Sequence, residues 1–125
     1  MQKNWALRAA ALTVGAGAVL GLTAGSANAA GLIQLGDSGR AVTCVQQALN
    51  YENSAGLQVD GRFGQSTYDA VINFQARQLL AKTGKVDVRT GENILGEVYN
   101  DYFFYQKGSP TLRAWLGECT YLMPS

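Results

Sequence analysis

The sequence predicts an all-α fold: three short helices joined by turn-rich links, with a C-terminal extension tied back by a disulfide. Three observations predict it. Apolar residues recur in three separate stretches at the spacing of one helix face. Gly, Asp, Ser and Thr cluster ahead of each stretch and divide the chain into short units. Two cysteines, Cys44 and Cys119, stand far apart in a chain whose start has the features of an export signal.

Lys3 and Arg8 precede the apolar run "AAALTVGAGAVLGLTAG", and "SANAA" follows. A positive start, a short apolar run and a small-x-small site read as a signal peptide over residues 1–29, cleaved after Ala29 with Ala27 two positions before it. A retained membrane anchor is the other reading. The run is short and rich in Gly and Ala for a spanning helix, which needs about 20 apolar residues.

Setting aside Lys3 and Arg8 from the ten basic residues leaves eight against nine acidic ones, with no basic block. That balance gives no electrostatic case for nucleic acid or for an anionic membrane. In an exported chain the even cysteine count favours a Cys44–Cys119 bridge over two free buried thiols. The bridge would close a loop of about 75 residues, worth about 4 kcal/mol. The cysteines are not in a C-x-x-C pair, which argues against redox chemistry. The chain has no histidine, so Ser-His and Cys-His catalysis and His-ligated zinc are excluded. No metal or cofactor is expected.

The first helix follows "LGDSG", where Asp37 or Ser38 can act as N-cap. Val42, Val45 and Leu49 share one face, with Cys44 and Ala48 beside it. It should end near Asn50 or Tyr51, before the loop "ENSAG". Leu57 and Val59 flank Gln58 as a short extended piece, and Asp60-Gly61 is a turn signal. Ser66 is an N-cap candidate for a second helix over residues 67–81, with Tyr68, Val71, Ile72 and Leu79 at helical spacing. Gly84 then breaks the chain. Thr90 can cap a third helix whose apolar face is Ile94, Leu95, Val98 and Tyr102.

An internal repeat is visible at an offset of 27 residues. "VDGRFGQSTYDAV" aligns on "VDVRTGENILGEV" with five of thirteen positions identical. This reads as two copies of an extended piece, a turn and a helix, too few for a solenoid. In the tail, Gly108, Ser109 and Pro110 mark a turn, and "TLRAWL" fits a helical turn or a short strand.

The pattern "LGDSGRAVTCVQQALN…LQVDGRFGQSTYDAVINFQ" resembles the peptidoglycan-binding-like domain of bacterial cell-wall hydrolases. The matching residues are Leu35, Gly36, Gly39, Val42, Val45-Gln46, Leu49, Val59-Asp60-Gly61, Phe63-Gly64, Thr67, Ala70-Val71 and Phe74-Gln75. The likeness covers residues 32–98. The family's second turn would keep only Asp87 and Gly91 here, with Val88, Ile94 and Leu95 in place of its Gly, Thr and Trp. That half reads as degenerate. The resemblance implies a small three-helix bundle over residues 30–98 that holds peptidoglycan. The aromatic-rich extension, residues 99–125, is expected to pack on it.

A wall polymer offers hydroxyls, apolar sugar faces, amides and carboxylates. Gly61 and Gly64 would let it approach main-chain N–H groups. Arg62 and Gln65 would donate from side chains, Arg62 to a carboxylate. Tyr68 would stack on a sugar ring, and Asp60, Phe63 and Thr67 complete the expected binding set. Each has a structural reading too: Asp60 as a turn acceptor, Phe63 and Phe74 as core, Thr67 as a helix-start hydroxyl. The run "YNDYFFYQ" is expected to form a second small core beneath the tail. The alternative is an exposed patch. Glu92, Glu97 and Asp101 read as a solvated helix face and not as a glycosidase pair.

The resulting expectation is a secreted, non-catalytic, cell-wall-associated monomer that binds peptidoglycan, alone or beside a separate hydrolase. The other class is a protein-interaction module of the same fold that binds a hydrolase. A related bundle serves as an inhibitory pro-segment in some metalloproteases, but its Pro-Arg-Cys-Gly motif is absent here.

Overall fold

The computed structural model describes residues 31–125. The leader expected over residues 1–29 lies outside them. Four α-helices follow one another: α1 (Arg40–Asn53), α2 (Gln65–Arg77), α3 (Val88–Asn100) and α4 (Pro110–Cys119). A π-helical turn, Asp101–Tyr105, prolongs α3, and a short 3-10 turn, Thr120–Leu122, follows α4. The first three helices form the bundle around one core. Val42, Val45 and Leu49 of α1, Val71 and Phe74 of α2, and Ile94 and Val98 of α3 are all buried. The apolar spacing that predicts each helix is therefore the stripe that each one buries.

Residues 31–39 act as a strap across both inter-helix links. Ile33 exchanges two backbone hydrogen bonds with Val86, at 3.0 and 2.8 Å. Further along, Phe63 N–H donates to Asp37 O and Gly39 N–H to Gly61 O. The strap thus fixes Phe63 and Val86, one from each link, in the core.

Two buried glutamines lock the links to the helices before them. Gln46 on α1 accepts from Gly61 N–H through Oε1, and its Nε2 donates to Asp60 Oδ1, Arg62 O and Thr67 Oγ1 at 3.0–3.1 Å. Gln75 on α2 accepts from Gly84 N–H, and its Nε2 donates to Thr83 Oγ1, Lys85 O and Thr90 Oγ1. The same device is used twice, and it sets the true register of the repeat. Gly84 corresponds to Gly61 and Thr90 to Thr67, an offset of 23. The identities at offset 27 are coincidental, and the second turn keeps its working Gly and Thr. Its degeneracy is an artefact of the wrong alignment.

The expected caps are displaced, Thr90 by the second lock. Gly39 and Gly64 occupy the N-cap positions of α1 and α2 without side-chain caps, and Asp87 caps α3 by accepting from Thr90 N–H. Asp37 instead turns back to accept from Gln34 N–H. Ser66 and Thr90 lie inside the first turns of their helices. The helix expected over residues 67–81 stops at Arg77, and Leu79 is exposed with a left-handed φ of 59°. Leu80 N–H and Gly84 N–H both return to Gln75, which ends the helix early.

"TLRAWL" is helical: Ser109 accepts from Leu112 N–H, and Pro110 takes the first helical position. The tail packs on α1 and α3. Trp115 is buried and donates from Nε1 to Cys44 O at 2.9 Å, and Cys44 is bonded to Cys119. Beyond α4, Pro124 closes on Gly91, where any β-carbon would collide with the Pro124 carbonyl. The aromatic run does not form the expected second core. Tyr99, Phe103, Phe104 and Tyr105 are exposed, and only Tyr102 packs inward. Leu112, Trp115 and Met123 are the side chains that the tail buries in their place.

Gly84 shows how tightly the links are held. Its φ is +73°, and a β-carbon would overlap the Tyr68 ring. Gly84→Ala is expected to cost about 2–4 kcal/mol, from strain and overpacking together. Gly36→Ala, at φ +97° with open space around it, should cost only about 1 kcal/mol. Urea unfolding midpoints of the two variants test this difference.

Candidate functional site

A groove of about 910 Å³ lies between the α1–α2 link and the outer face of α2. One wall is the end of α1 and the loop after it, with Asn53, Gly56 and Gln58 facing the space. Its counterpart is a stripe on α2: Ser66, Asp69, Asn73 and Arg77, with Ala70 and Ala76 between them. These recur at three- and four-residue intervals, opposite the side of α2 that buries Val71 and Phe74. No residue beyond Arg77 lines the groove, so the C-terminal tail leaves it open.

Five of the eight expected binding residues meet at this groove: Asp60, Arg62, Gly64, Gln65 and Thr67. Three do not. Gly61 is buried, its N–H held by Gln46 and its carbonyl by Gly39 N–H, so it has no free donor for a ligand. Phe63 is core, only 2% exposed. Tyr68 is half-buried with its ring laid over Gly84 of the second link, away from the groove. Thr67 is buried as an acceptor of Gln46 and touches the groove from its floor. Asn53, Gln58, Asn73 and Arg77 are groove residues that motif reading passed over. For Asn73 and Arg77 the signal is the polar stripe on α2, visible once the core face is assigned; Asn53 and Gln58, at the end of α1 and in the link, have none.

The carboxylates of the groove are already engaged. Asp60 accepts from Arg62 N–H at 2.9 Å and from Gln46 Nε2 at 3.0 Å. These bonds hold its pKa below the usual carboxylate value and keep it ionised. Asp69 accepts from Gln65 Nε2. Arg62 and Arg77 are exposed, and the single ion pair among the described residues is Arg40–Glu118 at the far end of α1. The groove therefore offers charged and amide donors, with its two carboxylates already accepting.

The family model of the peptidoglycan binding domain matches residues 38–92. The crystal structure of the SleB N-terminal domain is 34% identical with a TM-score of 0.52, over 54% of this chain and 92% of that one. The chain belongs to the peptidoglycan-binding domain family. A fused Zn-dependent amidase/peptidase/peptidoglycan-binding domain-containing protein from Clostridium acetobutylicum ATCC 824 is 35% identical, with a TM-score of 0.49. The match covers 50% of this chain and 28% of that protein. No curated protein matches. The peptidoglycan-binding domain match spans both glutamine locks and the residues of the groove, and ends within α3.

One acidic group outside the groove has a displaced titration. Burial, then Asp101 and then Glu97, push the Glu52 carboxyl up to about 7. One of its oxygens is enclosed with no hydrogen-bond partner. The unfolded chain gives up this proton near 4.5 and the folded chain only near 7. Stability should therefore fall as pH rises between those values. The side chain is half-buried, and solvent screening reduces the effect to about 1–2 kcal/mol. Glu52→Gln should stabilise the protein by about that amount at pH 8.5 and by little at pH 5. Denaturant midpoints at the two pH values check the sign.

Proposed function

We propose that the protein is an exported, non-catalytic cell-wall protein that holds peptidoglycan in the groove between the α1–α2 link and α2. The observation that carries this reading is the open polar groove, built from the same segment that matches the peptidoglycan-binding domain. Its donors suit a polymer of hydroxyls, amides and carboxylates. Binding is favoured over catalysis by the state of Asp60. Asp60 is held ionised, so it is not poised to give up a proton as a general acid. Export is supported by the leader pattern and by the disulfide, which persists in oxidising compartments. The binding unit is residues 30–98, and residues 99–125 brace it from the opposite side.

Sedimentation with purified sacculi tests the proposal. The protein should pellet, and pelleting should survive moderate salt, because uncharged amide donors share the load with Arg62 and Arg77. Arg62→Ala with Asn73→Ala should abolish it while the circular dichroism of the fold is unchanged. Failure of the wild-type protein to pellet, or release of soluble wall fragments by the pure protein, would reject the reading.

A second reading rests on the exposed aromatic run, Tyr99, Phe103, Phe104 and Tyr105. A patch of that composition suits a protein partner such as a separate hydrolase. Retention on sacculi that is lost on Phe103→Ser with Phe104→Ser, and unaffected by groove substitutions, would favour it.

A further inference from the structure

The geometry points to the peptide stem, and not the glycan strand, as the part of the wall polymer that the groove holds, with six extra residues in the first link as the segment that forms the site. This rests on the reading above and specifies its ligand.

The two glutamine locks provide an internal control. Gln46 reaches its glycine 15 residues on, its carbonyl acceptor 16 on and its threonine 21 on. Gln75 reaches the equivalent groups 9, 10 and 15 residues on. Every interval in the first copy is longer by six. The lock itself does not need those residues, since the second copy closes without them. In the first copy they form the loop that walls the groove.

Part of the main chain of that loop faces solvent and is not paired within the described residues. Its ends are fixed by Asn50, which brackets Leu57 through both N–H and C=O. Between and beside those bonds, the N–H groups of Gly56 and Gln58 and the carbonyls of Ala55 and Gly56 have no hydrogen-bond partner among the described residues. All three residues line the groove. Unpaired amides in an irregular segment are the groups that an extended peptide pairs with.

The side chains point the same way. No aromatic ring lines the groove, so it lacks the flat apolar surface on which sugar rings stack. Besides the engaged Gln46 it carries four carboxamides, Asn53, Gln58, Gln65 and Asn73, and two arginines. Amides and guanidinium groups match peptide bonds and free carboxylates. Arg62 lies in the link three residues before α2 begins, and Arg77 is the last residue of α2. Thirteen helical residues span roughly 20 Å, the reach of about six extended peptide residues.

The test is competition for pelleting of the full mature chain on sacculi. Three competitors are used: synthetic stem peptides with free carboxylates, glycan strands stripped of peptide, and intact soluble fragments. Stem peptides should release the protein, and stripped glycan should fail at about tenfold higher concentration. Deleting residues 54–59, which copies the length of the second link, should cut pelleting by at least about tenfold. If that variant misfolds, Gln58→Ala with Arg77→Ala should show the same loss in a folded protein. Release by stripped glycan alone, or full pelleting by both variants, overturns the inference and leaves the parent reading intact. Failure of the wild-type chain to pellet at all removes both.

Discussion

Replacing Cys44 and Cys119 together by alanine should lower stability by about 4 kcal/mol, the chain-entropy value for a loop of this length. The cysteines are separated by 75 residues in sequence. A domain of this size has a total stability of only about 5–15 kcal/mol, so the bond supplies a large share of it. The melting temperature should fall by about 15–30 °C. The bond also organises the tail. Cys44 O receives the Trp115 N–H, so the covalent link and the buried indole fix α4 to the same turn of α1. Guanidinium titrations with and without reductant measure the effect. A shift below about 1 kcal/mol would mean that Trp115, Leu112 and Met123 hold the tail without help from the bridge. The groove contains no tail residue, so the variant should still pellet with sacculi well below its new melting temperature.

The three-helix bundle was legible because its signal is periodic. Val42, Val45 and Leu49, or Ile94 and Val98, face one way only if the chain is helical, and each is buried. The disulfide was legible from the cysteine count and the leader. What failed was local. Asp37, Ser66 and Thr90 are residue types that favour helix caps, and Asp37 and Thr90 were drawn into other bonds. Propensity weighs a hydroxyl against its own neighbours. It does not register Gln75, 15 residues earlier on the preceding helix, which needs the Thr90 hydroxyl as an acceptor.

The site was half legible for the same reason. The Asp-Gly-x-Phe-Gly motif marks the corner, and Asp60, Arg62 and Gly64 do reach the groove. Most of its skeleton, however, serves the fold: Gly61 for the lock, Phe63 for the core. The groove's outer wall is an irregular loop, and its other wall is the polar back of α2. Neither has a motif. Both become visible only when the helix faces are assigned in three dimensions and the two links are compared in length.

The largest single-residue effects should come from the glutamines. Gln46 is 1% exposed, as is Gln75. Gln46→Leu fits the volume but takes the partner from Gly61 N–H and Thr67 Oγ1, whose bonds are buried, and from Arg62 O, whose bond is part-buried. Buried groups orphaned in this way cost about 1–3 kcal/mol each, and partial relaxation brings the expected total to about 3–5 kcal/mol. Gln75→Leu orphans the matching groups of the second link and should cost about as much. The two variants should part company in binding. Gln46 also holds Asp60 and Arg62, which line the groove, whereas the groups held by Gln75 do not. At equal fractions folded, Gln46→Leu should weaken retention on sacculi and Gln75→Leu should leave it intact. Gln46→Glu adds a pH signature. Ionised, the new carboxylate would face Asp60 Oδ1 and two further acceptors with no proton to give. Its folded pKa must therefore lie above its unfolded one, and its stability should recover as pH falls toward that unfolded value. The wild-type glutamine cannot titrate, so the difference between the two stability profiles isolates the lock. Parallel profiles would show that Gln46 is a spectator of the turn rather than what closes it.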